Sequence, residues 1–145
     1  ASPSFSAAKR FPHLKETLMN DTFGFKKLEI YQVAKQLVIL TYEITRQLPP
    51  EERFALVQQM NRAAISIPSN IAEGYSRHSK KDKIHFLNVA YGSLMELICQ
   101  SEIVVELQYL DENCLKDFSK QAKNLAVKIS NFAQYLKGEM EEDGK

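Results

Sequence analysis

The feature that most constrains this chain is an apolar repeat of helical period, which recurs in four long segments. In the last segment an apolar residue occupies every third or fourth position from Leu115 to Leu136. Such spacing aligns side chains along one face of an α-helix. The 145 residues include only five glycines and five prolines, too few for a turn-rich β fold. The positions of this stripe are Leu115, Phe118, Ala122, Leu125, Ile129, Phe132 and Leu136.

The other three segments carry comparable stripes. The first predicted helix spans 27–47 and has two adjacent stripes, so we expect its wide apolar face to form core and subunit contacts. The second begins at Pro50 or Glu51. The third begins after Ser79, with Asp82 at capping-box spacing, and ends near Tyr109. Predicted core positions are Phe54, Val57, Met60, Ala64, Ile67, Ile71 and Tyr75 in the second helix and Ile84, Leu87, Tyr91, Leu94, Ile98, Ser101 and Val105 in the third.

Four long helices with short connections predict an all-α fold, an antiparallel up-and-down four-helix bundle. We expect a flexible or loosely docked arm over residues 1–25, the bundle over 26–138 and an acidic tail over 139–145. Asp111 or Asn113 is expected to cap the fourth helix, and Gly138 to end it.

The composition indicates a cytoplasmic protein. Hydrophobic residues make up 44% and charged residues 26% of the chain, as in globular domains. No apolar run reaches about 18 residues, and the first residues lack the apolar core of a secretory signal, so we expect no membrane contact. Cys99 and Cys114 fit no disulfide pattern. We predict two free thiols in a reducing compartment, buried as small apolar side chains.

The stretch SIPSNIAEGYSR, residues 66–77, interrupts the second helix with a proline. Pro68 removes one backbone donor, which costs about 3 kcal/mol in a helix interior. The apolar phase nevertheless continues on both sides, so we predict one helix kinked at Pro68 rather than two helices. Gly74 offers either a close-packing point or an early end of the helix.

Polar residues flank the apolar stripe around this proline. Ser66, Ser69 or Asn70 can satisfy the carbonyl groups that Pro68 leaves free. A structural network within one subunit, or across a subunit contact, is one interpretation of these residues. The alternative is a solvated flank of an amphipathic helix. The residues of the predicted network are Arg62, Ser66, Asn70, Glu73 and Glu96.

The sequence contains no motif that predicts catalysis, a cofactor or a metal. It has no GxGxxG, P-loop or HExxH pattern. None of its histidines, His13, His78 and His85, completes the Glu-x-x-His pairs of a di-iron bundle. Neither cysteine has a local histidine that would activate it. We predict a protein that is not an enzyme and needs no cofactor.

One concentration of positive charge precedes the third helix. Arg77, Lys80, Lys81 and Lys83 surround Asp82 in SRHSKKDKIH, and we predict that they contact phosphates of RNA or DNA. The alternative is a solvated helix start. Arg62 is a further candidate.

The formal net charge of the whole chain is only +1, so the overall charge does not mark a nucleic-acid binder. The first 27 residues have five basic residues against two acidic ones, whereas 137–145 has two against four. We therefore expect charge to be polarised along the molecule, and repetition in a cyclic oligomer to multiply the basic field.

Three segments resemble a known family: LEIYQVAKQL, LPPEERFALVQQMNRAAISIPSNIAEGYSR and FLNVAYGSLMELICQSEIV. They are similar to bacterial four-helix bundle proteins, including those encoded in intervening sequences of large-subunit ribosomal RNA genes. Accessory variability determinant proteins of diversity-generating retroelements are similar too. The resemblance covers about residues 25–137.

This resemblance implies a helical bundle, commonly a ring-like homopentamer, without enzymatic activity. In the retroelement branch it also implies binding of nucleic acid and a reverse transcriptase through basic surfaces. Our leading hypothesis is a homo-oligomeric bundle that binds RNA or DNA as an accessory protein. The alternative is a protein-interaction or scaffold module without nucleic-acid binding.

Overall fold

The computed structural model describes residues 23–144, and its regular elements there are all helical. Short 3-10 turns occupy Gly24–Lys27, Pro50–Glu52 and Glu112–Leu115. Consecutive long helices pack on each other, and the last also packs on the first, which closes a four-helix bundle. The all-α fold class is confirmed. The long helices are α1 (Glu29–Thr45), α2 (Leu56–Ser76), α3 (Lys80–Glu106) and α4 (Lys116–Asp143).

Contacts between α2 and α3 follow an antiparallel order. Ser66 meets Ser93, and Gly74, eight residues further along α2, meets Phe86, seven residues earlier on α3. Pro68 lies inside α2, which continues through it from Leu56 to Ser76, as predicted. The kink at Pro68 and the up-and-down order of the whole bundle stay predictions.

The fourth apolar stripe is confirmed. Six of its seven residues are buried, and Phe132 packs half-buried against the same core. In the second helix, the predicted burial of the stripe is confirmed from Met60 to Ile71. It is wrong at the two ends of the stripe, where Phe54 is 81% exposed and Tyr75 is 45% exposed. Phe54 lies outside the core because α2 begins only at Leu56.

The predicted stripe of the third helix is wrong in part. Ala90, Leu97 and Val104 are buried where we expected Tyr91, Ile98 and Val105. Each of these pairs holds adjacent apolar residues, so the period alone could not select between them. A buried Ala90 lets the neighbouring helices approach closely, and Tyr91 keeps its hydroxyl near water.

Helix ends follow the local signals in most places. Asp82 N donates to Ser79 Oγ over 3.1 Å, which confirms the predicted cap of α3. Asp111, rather than Asn113, accepts a hydrogen bond from the Cys114 amide and caps the turn before α4. Gly138 does not end α4, which continues to Asp143. A glycine inside a helix costs only about 1 kcal/mol and does not oblige the helix to end.

Both cysteines are free, as predicted, but both are exposed, and the prediction of burial is wrong. Cys99 lies on the outer side of α3, and Cys114 lies in the short turn before α4. Most of the predicted arm lies outside the described residues, so the division into arm, bundle and tail stays a prediction. Between residues 23 and 144, every helix is too short or too polar to cross a membrane.

Candidate nucleic-acid interface

The turn between α2 and α3 brings together the four basic residues predicted from sequence. Arg77 follows the last residue of α2, and its Nη2 donates to Glu73 Oε1 over 2.7 Å. Its guanidinium also lies 4.8 Å from the centre of the Phe86 ring, in cation–π geometry. Arg77 is therefore held in place while 43% of its side chain stays exposed.

Lys83 closes the end of α2. Its Nζ donates to the Tyr75 carbonyl over 2.9 Å and lies 5.2 Å from the centre of the Tyr75 ring. A cation at the last carbonyl groups of a helix is favoured by the helix dipole. The ammonium of Lys83 thus has a structural role within the turn.

Lys80, the first residue of α3, pairs with two carboxylates near the end of α4. Its Nζ lies 2.5 Å from Asp143 Oδ2 and 3.4 Å from Glu139 Oε2. The hydrogen bond to Asp143 is the main cause that raises the pKa of Lys80. The Tyr135 hydroxyl donates to Glu139, which lowers the pKa of that carboxyl and raises the pKa of the tyrosine.

Lys81 is exposed, and no carboxylate of residues 23–144 lies within ion-pair distance of it. Lys83 likewise has no carboxylate within ion-pair distance in that range, but its ammonium is held by the Tyr75 carbonyl and ring. We expected acidic and basic residues to lie at separate ends of the molecule. At the turn between α2 and α3 this expectation is wrong, because Glu139 and Asp143 near the end of α4 lie beside Lys80. The region is a mixed cluster of charges rather than a uniform basic patch.

Arg62 lies elsewhere on the surface. It is exposed on α2 and donates to Gln59 Oε1 over 3.0 Å. Fourteen residues of helix separate it from Ser76, which corresponds to about 20 Å along the axis. The structure therefore does not bring Arg62 to the turn.

Two residues of the predicted polar network meet at the interface of α2 and α3. Asn70 Nδ2 donates to the Ser66 carbonyl over 2.8 Å and to Ser66 Oγ over 3.0 Å. Ser66 Oγ in turn lies 2.9 Å from Ser93 Oγ on α3. Sequence reasoning missed Ser93, although this residue lies in the segment Gly92-Ser93-Leu94 that carried the family resemblance.

The remaining residues of that network make local contacts instead. Glu73 pairs with Arg77, and Glu96 accepts a hydrogen bond from Gln100 over 3.2 Å. In the described part of the chain neither of them, nor Arg62, is joined to Ser66 and Asn70. The network within one subunit is thus limited to the Ser66–Asn70 pair with Ser93, and a contact across subunits stays a prediction.

An apolar groove runs between α1 and α2 on the surface. It has a volume of about 450 Å³. Ile39 and Ile65 both line it, and they are 46% and 45% exposed. Tyr31 and Val38, which belong to the second of the two apolar stripes predicted for the first helix, form part of its wall. The residues around the groove include Phe25, Tyr31, Val38, Ile39, Ile65 and Pro68.

Metal-ligating side chains do not cluster within residues 23–144: no group of three or more histidine, cysteine, aspartate or glutamate residues could hold an ion there. His78 and His85 lie on either side of the cap at Ser79 and are both exposed. His13 lies outside the described residues.

The comparisons with known proteins agree with this architecture. No curated protein matches the chain. A family model described as 23S rRNA-intervening sequence protein matches residues 26–131. That range is more than half of the chain and holds the whole of α1, α2 and α3, and it confirms the resemblance to proteins encoded in ribosomal RNA intervening sequences. The chain therefore belongs to the 23S rRNA-intervening sequence protein family.

Proposed function

We propose that this chain is a non-enzymatic, homo-oligomeric helical bundle that binds the phosphates of RNA or DNA through the turn between α2 and α3. The observation that carries the proposal is the convergence of four basic side chains at the start of α3. A helix N-terminus adds a partial positive charge at the same place. The side chains are Arg77, Lys80, Lys81 and Lys83.

The intramolecular partners of these residues do not prevent phosphate binding. Lys80 keeps 33% and Arg77 keeps 43% of its side chain exposed. Ion pairs at such solvent-exposed positions are weak. A phosphate, which accepts charge-assisted hydrogen bonds from the same donors, can replace a carboxylate there.

A single turn with four cations binds weakly, and the proposal therefore includes self-association. The apolar groove between α1 and α2 supports it, since large apolar side chains such as Ile39 and Ile65 are half exposed there. We propose that the assembly is a cyclic pentamer. The basic turn would then repeat around the ring, and the positive electrostatic potentials of the five turns would add together.

Filter binding to structured RNA and to duplex DNA at low salt tests this proposal. The wild type should bind, with an affinity that falls steeply as salt is added. Replacement of Arg77, Lys80, Lys81 and Lys83 by alanine should remove the binding. The matched control removes four exposed lysines of α4 that make no ion pair within residues 23–144: Lys116, Lys120, Lys123 and Lys137.

Two results would contradict nucleic-acid binding at the turn. One is a wild type that binds neither probe at low salt. The other is an equal loss of affinity in the two quadruple variants, because that would reflect net charge rather than a site.

A protein-interaction or scaffold module is the second candidate. The apolar groove favours it, because burial of apolar surface drives most protein association. This candidate predicts an assembled protein with no salt-sensitive affinity for nucleic acid. In either case the proposal assigns no reaction to the chain and places it in the cytoplasm, where the exposed thiols of Cys99 and Cys114 stay reduced.

A further inference from the structure

The last two turns of α4 lie against the first turn of α3, at the proposed phosphate site. Glu139 and Asp143 are four residues apart, so they share one face of the helix. Both carboxylates reach the Nζ of Lys80, at 3.4 Å and 2.5 Å. Tyr135, one turn earlier on α4, is the chief cause that lowers the pKa of the Glu139 carboxyl.

This contact joins residues that are 63 positions apart in the chain. It also lies partly outside the region that defines the family, since Glu139 and Asp143 follow the matched residues 26–131. Lys80, in contrast, lies within that region. The acidic partner is therefore a feature of this chain that the family match does not describe.

Carboxylate and phosphate oxygens compete for the same ammonium group. A lysine ammonium has three donors, and each one directed at a carboxylate is unavailable to a phosphate. Lys80 is also the first residue of α3, where the helix dipole adds to its attraction for an anion. Of the four basic residues at the turn, Lys80 is the one bound to a distant element.

We propose that the last two turns of α4 form an acidic latch, which competes with nucleic-acid phosphate for Lys80. This inference rests on the proposed function and adds to it an intramolecular control of affinity. With the latch closed, the turn offers fewer free cations, and nucleic acid must displace Glu139 and Asp143 before it reaches Lys80. Opening of the latch increases both the affinity and the number of phosphate contacts.

The chain provides a matched control for this inference. Glu141 and Glu142 lie on the same turns of α4, and neither carboxylate is within ion-pair distance of Lys80. The double variants Glu139→Gln/Asp143→Asn and Glu141→Gln/Glu142→Gln each remove two negative charges from the same helix end. They change the long-range field almost equally, and only the first pair opens the latch.

The experiment measures the affinity of the full chain and both double variants for a short duplex DNA over a range of salt concentrations. We expect the latch variant to bind about three- to tenfold more tightly than wild type, as the loss of two surface ion pairs implies. The slope of log K against log salt should steepen by about 0.9, the contribution of one added phosphate contact. The control variant should change the affinity by less than about twofold and leave the slope unchanged.

Lys80→Ala is introduced into wild type and into the latch variant, and it tests whether the gain in affinity depends on Lys80. The gain of the latch variant should disappear with Lys80→Ala, because no ammonium remains to be released. Thermal unfolding of each variant by circular dichroism establishes that α4 still folds. Equal affinities and slopes in the two double variants would overturn the latch, as would a gain that persists with Lys80→Ala.

The proposed function and the latch fail in different ways. If wild type binds DNA and loses that binding with the quadruple alanine change at the turn, while the latch variant equals wild type, the latch alone is wrong. If neither wild type nor the latch variant binds structured RNA or duplex DNA at low salt, both proposals are wrong. If only the latch variant binds, the proposed function of the wild-type chain is wrong, whereas the competition of Glu139 and Asp143 for Lys80 stands.

Discussion

Ser66 on α2 and Ser93 on α3 bring their hydroxyl oxygens to 2.9 Å, and Asn70 donates a further hydrogen bond to Ser66. All three residues are half-buried at the interface of the two helices. A buried polar group that loses its partner costs about 1–3 kcal/mol. This small cluster therefore fixes the register of α2 against α3 more specifically than apolar packing alone does.

Ser66→Ala should lower the free energy of unfolding by about 1–2 kcal/mol, because it removes the hydroxyl that pairs with Ser93 and accepts one of the two hydrogen bonds of Asn70. The double variant Ser66→Ala/Ser93→Ala should lose less free energy of unfolding than the two single variants together, because Ser66 and Ser93 share one hydrogen bond. Urea unfolding measures these values. The exposed Ser119→Ala is the control and should change stability by less than about 0.5 kcal/mol. Additive effects would show that the two hydroxyls are not coupled.

Gly74 and Gly92 should respond to alanine in opposite ways. A Cβ at Gly74 would lie 2.9 Å from the Phe86 Cβ, whereas a Cβ at Gly92 meets nothing within 4 Å. Gly74→Ala should destabilise the protein by about 1–2 kcal/mol, because steric overlap outweighs the better helix propensity of alanine. Gly92→Ala should stabilise α3 by up to about 1 kcal/mol. Denaturant unfolding of both variants tests the pair, and a stabilised Gly74→Ala would contradict the close contact.

The two phenylalanines Phe54 and Phe118 should differ in their effect on stability. Phe118 is 2% exposed in the core, and Phe54 is 81% exposed before α2. Phe118→Ala should cost about 3–5 kcal/mol, and Phe54→Ala less than about 0.5 kcal/mol. Thermal and urea unfolding provide the comparison. A large loss in Phe54→Ala would mean that this ring is buried by another molecule in the assembled protein.

Stability should fall in acid partly through Glu139. Its pKa lies below the ordinary value of 4.5, chiefly because Tyr135 donates a hydrogen bond to the carboxylate. A lowered pKa in the folded state adds stability above pH 4.5 that is lost as the pH falls through the folded value. The melting temperatures of wild type and Glu139→Gln should therefore converge below pH 4.5. A constant difference in that range would contradict the contact, and Glu141→Gln serves as the control for a nearby carboxyl.

The apolar groove should decide the assembly state. A charge at Ile39 or Ile65, each nearly half exposed beside the groove, would be costly in a dry subunit contact. Ile39→Asp and Ile65→Asp should therefore lower the mass measured by light scattering, while the fold persists. Val127→Asp, on the outer side of α4 and 53% exposed, is the matched control. Equal masses of all three variants and wild type would place the subunit contact elsewhere or exclude one.

The helices themselves were predictable because their signals are local. The cap of Ser79 on Asp82 and the stripe from Leu115 to Leu136 each depend on residues three or four positions apart, and that spacing is visible in the sequence. The continuity of α2 through Pro68 followed from the same period. Gly138 misled the prediction, since a glycine weakens a helix without obliging it to end.

The candidate site was less predictable because its partners are distant in sequence. The sequence located the basic residues around Lys80 by their density, but it contains no signal that joins Lys80 to Asp143, 63 residues away. The sequence likewise contains no signal for the pairing of Ser66 with Ser93 or for the burial of Ala90 rather than Tyr91, because both depend on contacts between different helices. A helical period determines which residues share a face, and only the packing of four helices decides what each face meets.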